Sequence, residues 1–117
     1  MKSSLLKRDL DTYILTRQEH LIMEAVWELD GATTREVYEL VTRRYTVAYT
    51  TVLTFMRILQ KKGILKRRRV GRTHHYSPVL TKEQAVKNQL HEVLLNYFEN
   101  NPNRLVETVL ETTMETG

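Results

Sequence analysis

The chain has 117 residues, 41% of them apolar, with a net charge of +4 and no cysteine. That length suits one domain, or a small domain with an appended oligomerisation segment. Disulfides and thiolate metal sites are excluded, and no run approaches the roughly 18 consecutive apolar residues of a membrane span.

The N-terminal segment Met1–Asp11 carries Lys2, Lys7 and Arg8 but lacks the apolar run of a secretory leader, so a cytoplasmic protein is expected. Residues 1–15 show no helix cap and only a loose apolar pattern, and an arm is expected over 1–13. Thr16 and Glu19 form a capping box, in which hydroxyl and carboxylate each satisfy the other's backbone N–H. Leu21, Ile22, Ala25, Val26 and Leu29 then recur at helical spacing, and Asp30-Gly31 ends that helix. Thr33 with Glu36 repeats the device for a second helix, whose stripe is Val37, Leu40 and Val41 and which ends near Arg44. So short a connection favours helices that cross.

A third helix is predicted from Ala48 to Lys62, with Gly63 as the left-handed residue behind it. Ala48, Val52, Phe55, Met56 and Leu59 fall on one side. Thr50, Thr54, Arg57 and Lys61 cluster within about 60° on the opposite side. Two β-compatible runs, 64–70 and 73–78, flank Gly71-Arg72 and predict a hairpin with a cationic tip and Pro78 at its exit. Thr81 with Gln84 opens a fourth helix to about Asn100, expected to bury Ala85, Val86, Leu90, Val93, Leu94, Tyr97 and Phe98. Asn101-Pro102 is a cap followed by proline at the first helical position. A fifth helix then aligns Leu105, Val106, Val109 and Leu110, with Met114 extending the face.

Charge separates these elements by function. Residues 1–39 carry −3, residues 40–82 carry +11 with no acid, and residues 83–117 carry −4. Such a block repels itself unless a polyanion lies opposite, and nucleic acid is the usual one. Three helices followed by a basic hairpin make a mainly α (α+β) winged helix-turn-helix, expected over 14–79, with a helical dimerisation region over 80–117. Short side chains near the start of a recognition helix suit base edges: a threonine offers a hydroxyl to a base and a methyl to thymine. Thr50, Thr51 and Thr54 are therefore the candidate base contacts. Threonines on a helix can simply be solvated, but their poor helix propensity asks for a reason when three fall in five residues.

Tyr49, Arg57, Lys61, Arg67, Arg68, Arg69, Arg72 and His74 are the candidate backbone contacts, which position a protein on DNA without specifying sequence. A basic edge strand also deters aggregation, and alternation of side chains leaves the individual arginines unassigned. His74-His75 lacks a neighbouring acid, so neither a metal nor any other cofactor is expected. His20 and His91 read as surface residues and Trp27 as core. No nucleophile elbow, phosphate loop or His-Glu metal motif appears, and no enzyme activity is expected. The apolar stripes of the last two helices exceed what a wing needs. They either fold back on their own domain or, as the preferred reading, pair with a second subunit in a two-fold dimer on a near-palindromic site. A protein-interaction module with non-specific nucleic-acid affinity is the alternative. An RNA binder is disfavoured by the scarcity of aromatics for stacking.

Several stretches resemble the penicillinase-repressor (BlaI/MecI/CopY) family of bacterial regulators: Leu15 to Glu19, Ile22-Met23 to Val26-Trp27, Thr34 to Val37, Ala48 to Thr54 with Leu59 to Gly63, and Gly71-Arg72 to Tyr76-Ser77-Pro78. The resemblance covers roughly residues 14–99 and weakens after Thr81. It implies a homodimeric winged-helix repressor on operator DNA with TACA/TGTA-type half-sites. The copper-responsive branch has a C-terminal cysteine-rich motif, absent here, so copper sensing by that route is not expected. In the beta-lactam-responsive branch an Asn-Phe bond is cleaved. Asn96-Tyr97 looks like the corresponding place with Tyr for Phe, which would make a regulatory protease a further partner.

Overall fold

The computed structural model describes residues 7–116. In chain order these form α1 (Lys7–Leu10), α2 (Arg17–Leu29), α3 (Thr34–Thr42), α4 (Tyr49–Lys61), β1 (Leu65–Val70), β2 (Thr73–Pro78), α5 (Lys82–Tyr97) and α6 (Pro102–Thr116). Both expected capping boxes are present. The Thr16 hydroxyl accepts from the Glu19 N–H at 3.2 Å while Glu19 accepts from the Thr16 N–H at 2.9 Å. Thr33 and Glu36 do the same at 3.1 and 2.9 Å. At the end of α4 the Ile64 N–H donates to Leu59 O and the Gly63 N–H to Gln60 O, with Gly63 at φ 83°. This is the Schellman arrangement, and its usual hydrophobic contact is supplied by Leu59 and Ile64, both fully buried.

The apolar faces of α2, α3 and α4 meet in one core: Ile22, Met23, Ala25 and Val26 from α2, Val37, Leu40 and Val41 from α3, Val52, Met56 and Leu59 from α4. Leu65, Tyr76 and Leu80 close it from the hairpin side. Phe55 packs against this core from its edge, whereas Ala48, expected on the apolar side, is the exposed N-cap of α4. The hairpin is antiparallel, with Arg67 opposite Tyr76, Arg69 opposite His74 and Val70 opposite Thr73. Gly71, at φ 63°, opens its two-residue loop, the position at which a tight hairpin turn wants glycine. A connection not expected from the sequence pins the hairpin to the helices. Ala32 N–H donates to Tyr76 O at 2.9 Å and Tyr76 N–H to Ala32 O at 2.8 Å, a one-residue third strand.

Two expectations change at the ends of the domain. Of the predicted arm, residues 1–6 lie outside the described residues. Residues 7–10 make a helical turn, Leu10 is buried, and the carbonyls of Leu10 and Tyr13 accept from Asn88 Nδ2 at 2.8 and 2.9 Å. The latter part of that segment is thus fastened to the domain. The fourth predicted helix stops at Tyr97 rather than near Asn100, because Glu99 and Asn100 turn left-handed at φ 50° and 60°. Nor is its apolar stripe buried within the chain, for Val86, Leu90 and Tyr97 are exposed. The radius of gyration, 16.7 Å, exceeds the roughly 13 Å of a compact chain this long, because α5 and α6 extend away from the core.

Glu19 does more than cap α2. Its carboxylate, 2% exposed, accepts from Tyr13 Oη at 2.8 Å and from Lys62 Nζ at 2.9 Å, joining the start of α2 to the end of α4. Burial alone would raise its pKa. Hydrogen bonds from the Thr16 N–H, Lys62 and Tyr13 outweigh that, and hold it below the ordinary carboxylate value. A carboxyl group with a lowered folded-state pKa stabilises the fold above its unfolded pKa, and the contribution is lost as pH falls through the folded value. Glu19→Gln is therefore expected to cost about 2 kcal/mol at neutral pH in urea unfolding, with Lys62 partly solvated and so cheap to strand. The deficit stays constant down to the usual glutamate range and narrows as the solution is acidified below it, and a deficit that does not narrow below that range contradicts the assignment.

Candidate nucleic-acid interface

Helix α4 turns its residues in an ordered fan around its axis. Val52, Met56 and Leu59 face the core. Tyr49, Leu53 and Arg57 line one flank, towards the hairpin, while Thr51 and Phe55 line the opposite flank beside Val47. Thr50, Thr54 and Lys61, one helical row, lie between the flanks and are exposed. The Thr54 hydroxyl donates to Thr50 O at 2.8 Å, which commits its proton and leaves its lone pairs and methyl facing outward. Thr50 and Thr51 make no side-chain hydrogen bond among the described residues. Of the three candidate base contacts, Thr50 and Thr54 therefore sit together at the crest, with Thr51 displaced to the far side.

The β pairing resolves what alternation left open. Directly paired residues share a face of the hairpin, so Arg67 and His74 stand on the face that carries buried Leu65 and Tyr76. Lys66 and Arg68 stand on the other face, with His75 and Ser77. Beyond the edge of the core, the first face becomes the wall of a groove. Arg67, Arg72, Thr73 and His74 line it from the hairpin, Tyr49, Leu53 and Arg57 from α4, and Thr33, Thr34 and Arg35 from the start of α3. No carboxylate is among the lining residues. Arg69 Nε donates to Gly71 O at 3.0 Å, which bends it back along the tip, and Arg68 projects from the outer face.

Arg35 belongs to this groove and was not singled out from the sequence. Its guanidinium lies 5.9 Å from the centroid of the Tyr49 ring and 3.6 Å from Glu39. Tyr49 is in turn held edge-on by Tyr38 at 5.4 Å between ring centroids. The only sequence signal was the Thr33 cap, which puts Arg35 in the first turn of α3, where the helix dipole already attracts anions. Four guanidiniums (Arg35, Arg57, Arg67 and Arg72) thus border one acid-free groove beside a crest of hydroxyls. That arrangement suits a polyanion with hydrogen-bonding edges. His74 and His75 occupy opposite faces of β2, and no cluster of three or more His, Asp or Glu suited to a metal occurs among the described residues.

The candidate dimer residues form a separate surface. Leu90, Tyr97, Val106, Val109 and Leu110 are exposed on α5 and α6, with Val93, Leu94, Phe98 and Leu105 half-buried beside them. The Asn96–Tyr97 bond lies in the last turn of α5, and Asn96 Nδ2 donates to Glu92 at 3.3 Å, so a protease would have to unwind this turn to reach it. No helix among the described residues is long and apolar enough to cross a membrane.

Comparison with known proteins places the geometry in context. The family described as penicillinase repressor matches residues 15–116. Transcriptional regulator BlaI from two strains of Mycobacterium tuberculosis, CDC 1551 / Oshkosh and H37Rv, is 35% identical over 69 residues, which is 58% of this chain. The match spans half the length, 50%, of those curated relatives. The solution structure of the DNA-binding domain of the repressor BlaI superposes with a TM-score of 0.54 at 26% identity, covering 60% of this chain and 85% of that one.

Crowding of like charge in the groove has a cost that can be measured without any ligand. Replacing Arg57 and Arg67 together by Gln is expected to stabilise the protein by about 0.5 kcal/mol at low ionic strength. Thermal unfolding should show the gain vanish near 1 M salt, where the screening length is about 3 Å. A gain independent of salt would mean that the two arginines do not repel across the groove.

Proposed function

The chain belongs to the penicillinase repressor family, and from that premise we propose that it is a sequence-specific transcriptional repressor that binds operator DNA as a homodimer in the cytoplasm. One observation carries the reading: next to the exposed Thr50–Thr54 crest, the Tyr49–Arg57 flank of α4 shares a groove without acidic lining with the hairpin arginines Arg67 and Arg72. With α4 in the major groove, Thr50 and Thr54 meet base edges, their methyls suited to the thymines of TACA/TGTA-type half-sites. Arg35, Arg57, Arg67 and Arg72 reach the flanking phosphates and fix the angle of approach. The likeness to the BlaI DNA-binding domain, at 26% identity, supports the same use of the same surface.

Repression by occupancy needs affinity and spacing together. The exposed apolar residues of α5 and α6 form the kind of contiguous patch that marks an association surface. Pairing of this surface about a two-fold axis would set two copies of α4 one DNA turn or a multiple apart, and so favour a near-palindromic operator.

Fluorescence anisotropy with operator-like and scrambled duplexes at two salt concentrations tests this reading. The operator should bind more tightly, with each neutralised phosphate adding about −0.9 to the slope of log affinity against log salt. Thr50→Val with Thr54→Val should lose about 1–3 kcal/mol of discrimination. Arg57→Gln with Arg67→Gln should weaken both duplexes alike. Equal binding of operator and scramble by the parent chain would leave only the protein-interaction alternative. A second check concerns assembly: Val106→Lys with Leu110→Lys should give a monomer in sedimentation and lose the operator preference, and a variant that stays dimeric moves the interface elsewhere.

A further inference from the structure

A cleft of about 440 Å³ opens between α2 and α5, shares no lining residue with the groove beside α4, and reaches Leu90 of the candidate dimer surface. Its floor is Leu15, Trp27, Ala85 and Val86, and its rim carries Arg17 and Lys82. Volumes of this size accommodate small organic ligands, which prefer apolar walls with a few polar groups at one end. No Asp or Glu lines it. Arg17 and Lys82, which both line the cleft, are the first residues of α2 and α5, each at the positive end of a helix dipole. The side chains of Arg17 and Lys82 have no hydrogen-bond or ion-pair partner among the described residues. His20, also at the edge, is already engaged with Glu24 at 3.4 Å.

The walls of the cleft are held rather than slack. Trp27 Nε1 donates to Leu80 O at 2.9 Å, which fixes the indole plane. Helix α5 is tied from its opposite face, where Asn88 grips the carbonyls of Leu10 and Tyr13. The cleft is therefore built into the joint between the three-helix core and α5, with an apolar floor and unpaired positive charge at one end.

We propose that this cleft binds a small organic anion with an apolar body, a monocarboxylate of medium chain length or with an aromatic ring. The carboxylate sits between Arg17 and Lys82 and the body lies on Trp27. Binding here does not require the repressor reading, and its test uses no DNA.

Trp27 is the only tryptophan of the chain and lines the cleft, so its emission serves as the probe. The 117-residue chain is titrated with octanoate and, separately, with octan-1-ol, which has the same body without the charge. Octanoate should change Trp27 emission saturably and bind about tenfold more tightly than the alcohol, since a charge-assisted contact is worth about that factor. Arg17→Gln with Lys82→Gln, both exposed positions, should bring octanoate down to the affinity of the alcohol. Ala85→Phe, which fills the floor, should abolish the response to both while thermal unfolding remains cooperative. If Ala85→Phe unfolds, the rim variant still decides the matter. Equal affinity for acid and alcohol overturns the proposal, as does an octanoate response unchanged by the rim variant, which would place the ligand on the exposed stripe of α5 and α6. Trp27 emission that ignores octanoate but changes on protein dilution also overturns it, because a second copy would then occupy the cleft.

Discussion

Two backbone hydrogen bonds between Ala32 and Tyr76 decide where the cationic hairpin points. They make the segment after α2 a one-residue strand and clamp β2 against it, so that the hairpin cannot rotate about its own axis. Gly31 permits the close approach: it lies at φ 99°, and a Cβ there would come within 3.3 Å of Tyr76 O. From that fixed residue the pairing register does the rest. Arg67 stands opposite Tyr76, His74 lies two residues before Tyr76 on the same face, and Arg67 and His74 both enter the groove beside α4. A hairpin slipped by one residue would bring Lys66 and Arg68 to that wall and turn Tyr76 out of the core.

The same economy governs the joint with α5. Asn88 is 4% exposed, and all its polar capacity in view is used: Nδ2 donates to Leu10 O and Tyr13 O, and Oδ1 accepts from Gln84 Nε2 at 2.7 Å. A buried amide satisfied in this way specifies one geometry, because any other leaves it without partners. Together with the bond from Trp27 to Leu80, it sets the direction in which α5 leaves the domain. In the proposed dimer that direction would determine how far apart the two α4 helices stand, and Asn88 would then bear on spacing without touching DNA.

Local rules made much of this legible in the sequence. The Thr16/Glu19 and Thr33/Glu36 boxes, the glycine after α4 and the Gly71 hairpin loop are short-range devices, each written within a few residues, and each is present. What stayed hidden joins distant positions. Lys62 meets Glu19 43 residues away, and Asn88 meets Tyr13 75 residues away, and no periodicity announces either pair. Arg35 was missed because it lies within a helix start whose capping explained its neighbours fully. For the apolar stripe of α5, periodicity identified the face but left two covers open, its own domain or a second subunit; within the chain Val86, Leu90 and Tyr97 are exposed. The interval rich in cations, by contrast, became a groove because α4 and the hairpin bring residues 57, 67 and 72 to one place, where α3 adds Arg35 from outside it.

The central claim is that the crest of α4 and the inner face of the hairpin address one duplex. Amide chemical-shift mapping of the full chain titrated with an operator-like duplex tests it most directly. The account expects Thr50, Thr54, Arg57, Arg67, Arg72 and His74 to shift together, with the same saturation, while the outer surface of α2 stays unchanged. Shifts confined to the hairpin, or centred on α5 and α6 with α4 silent, would contradict it.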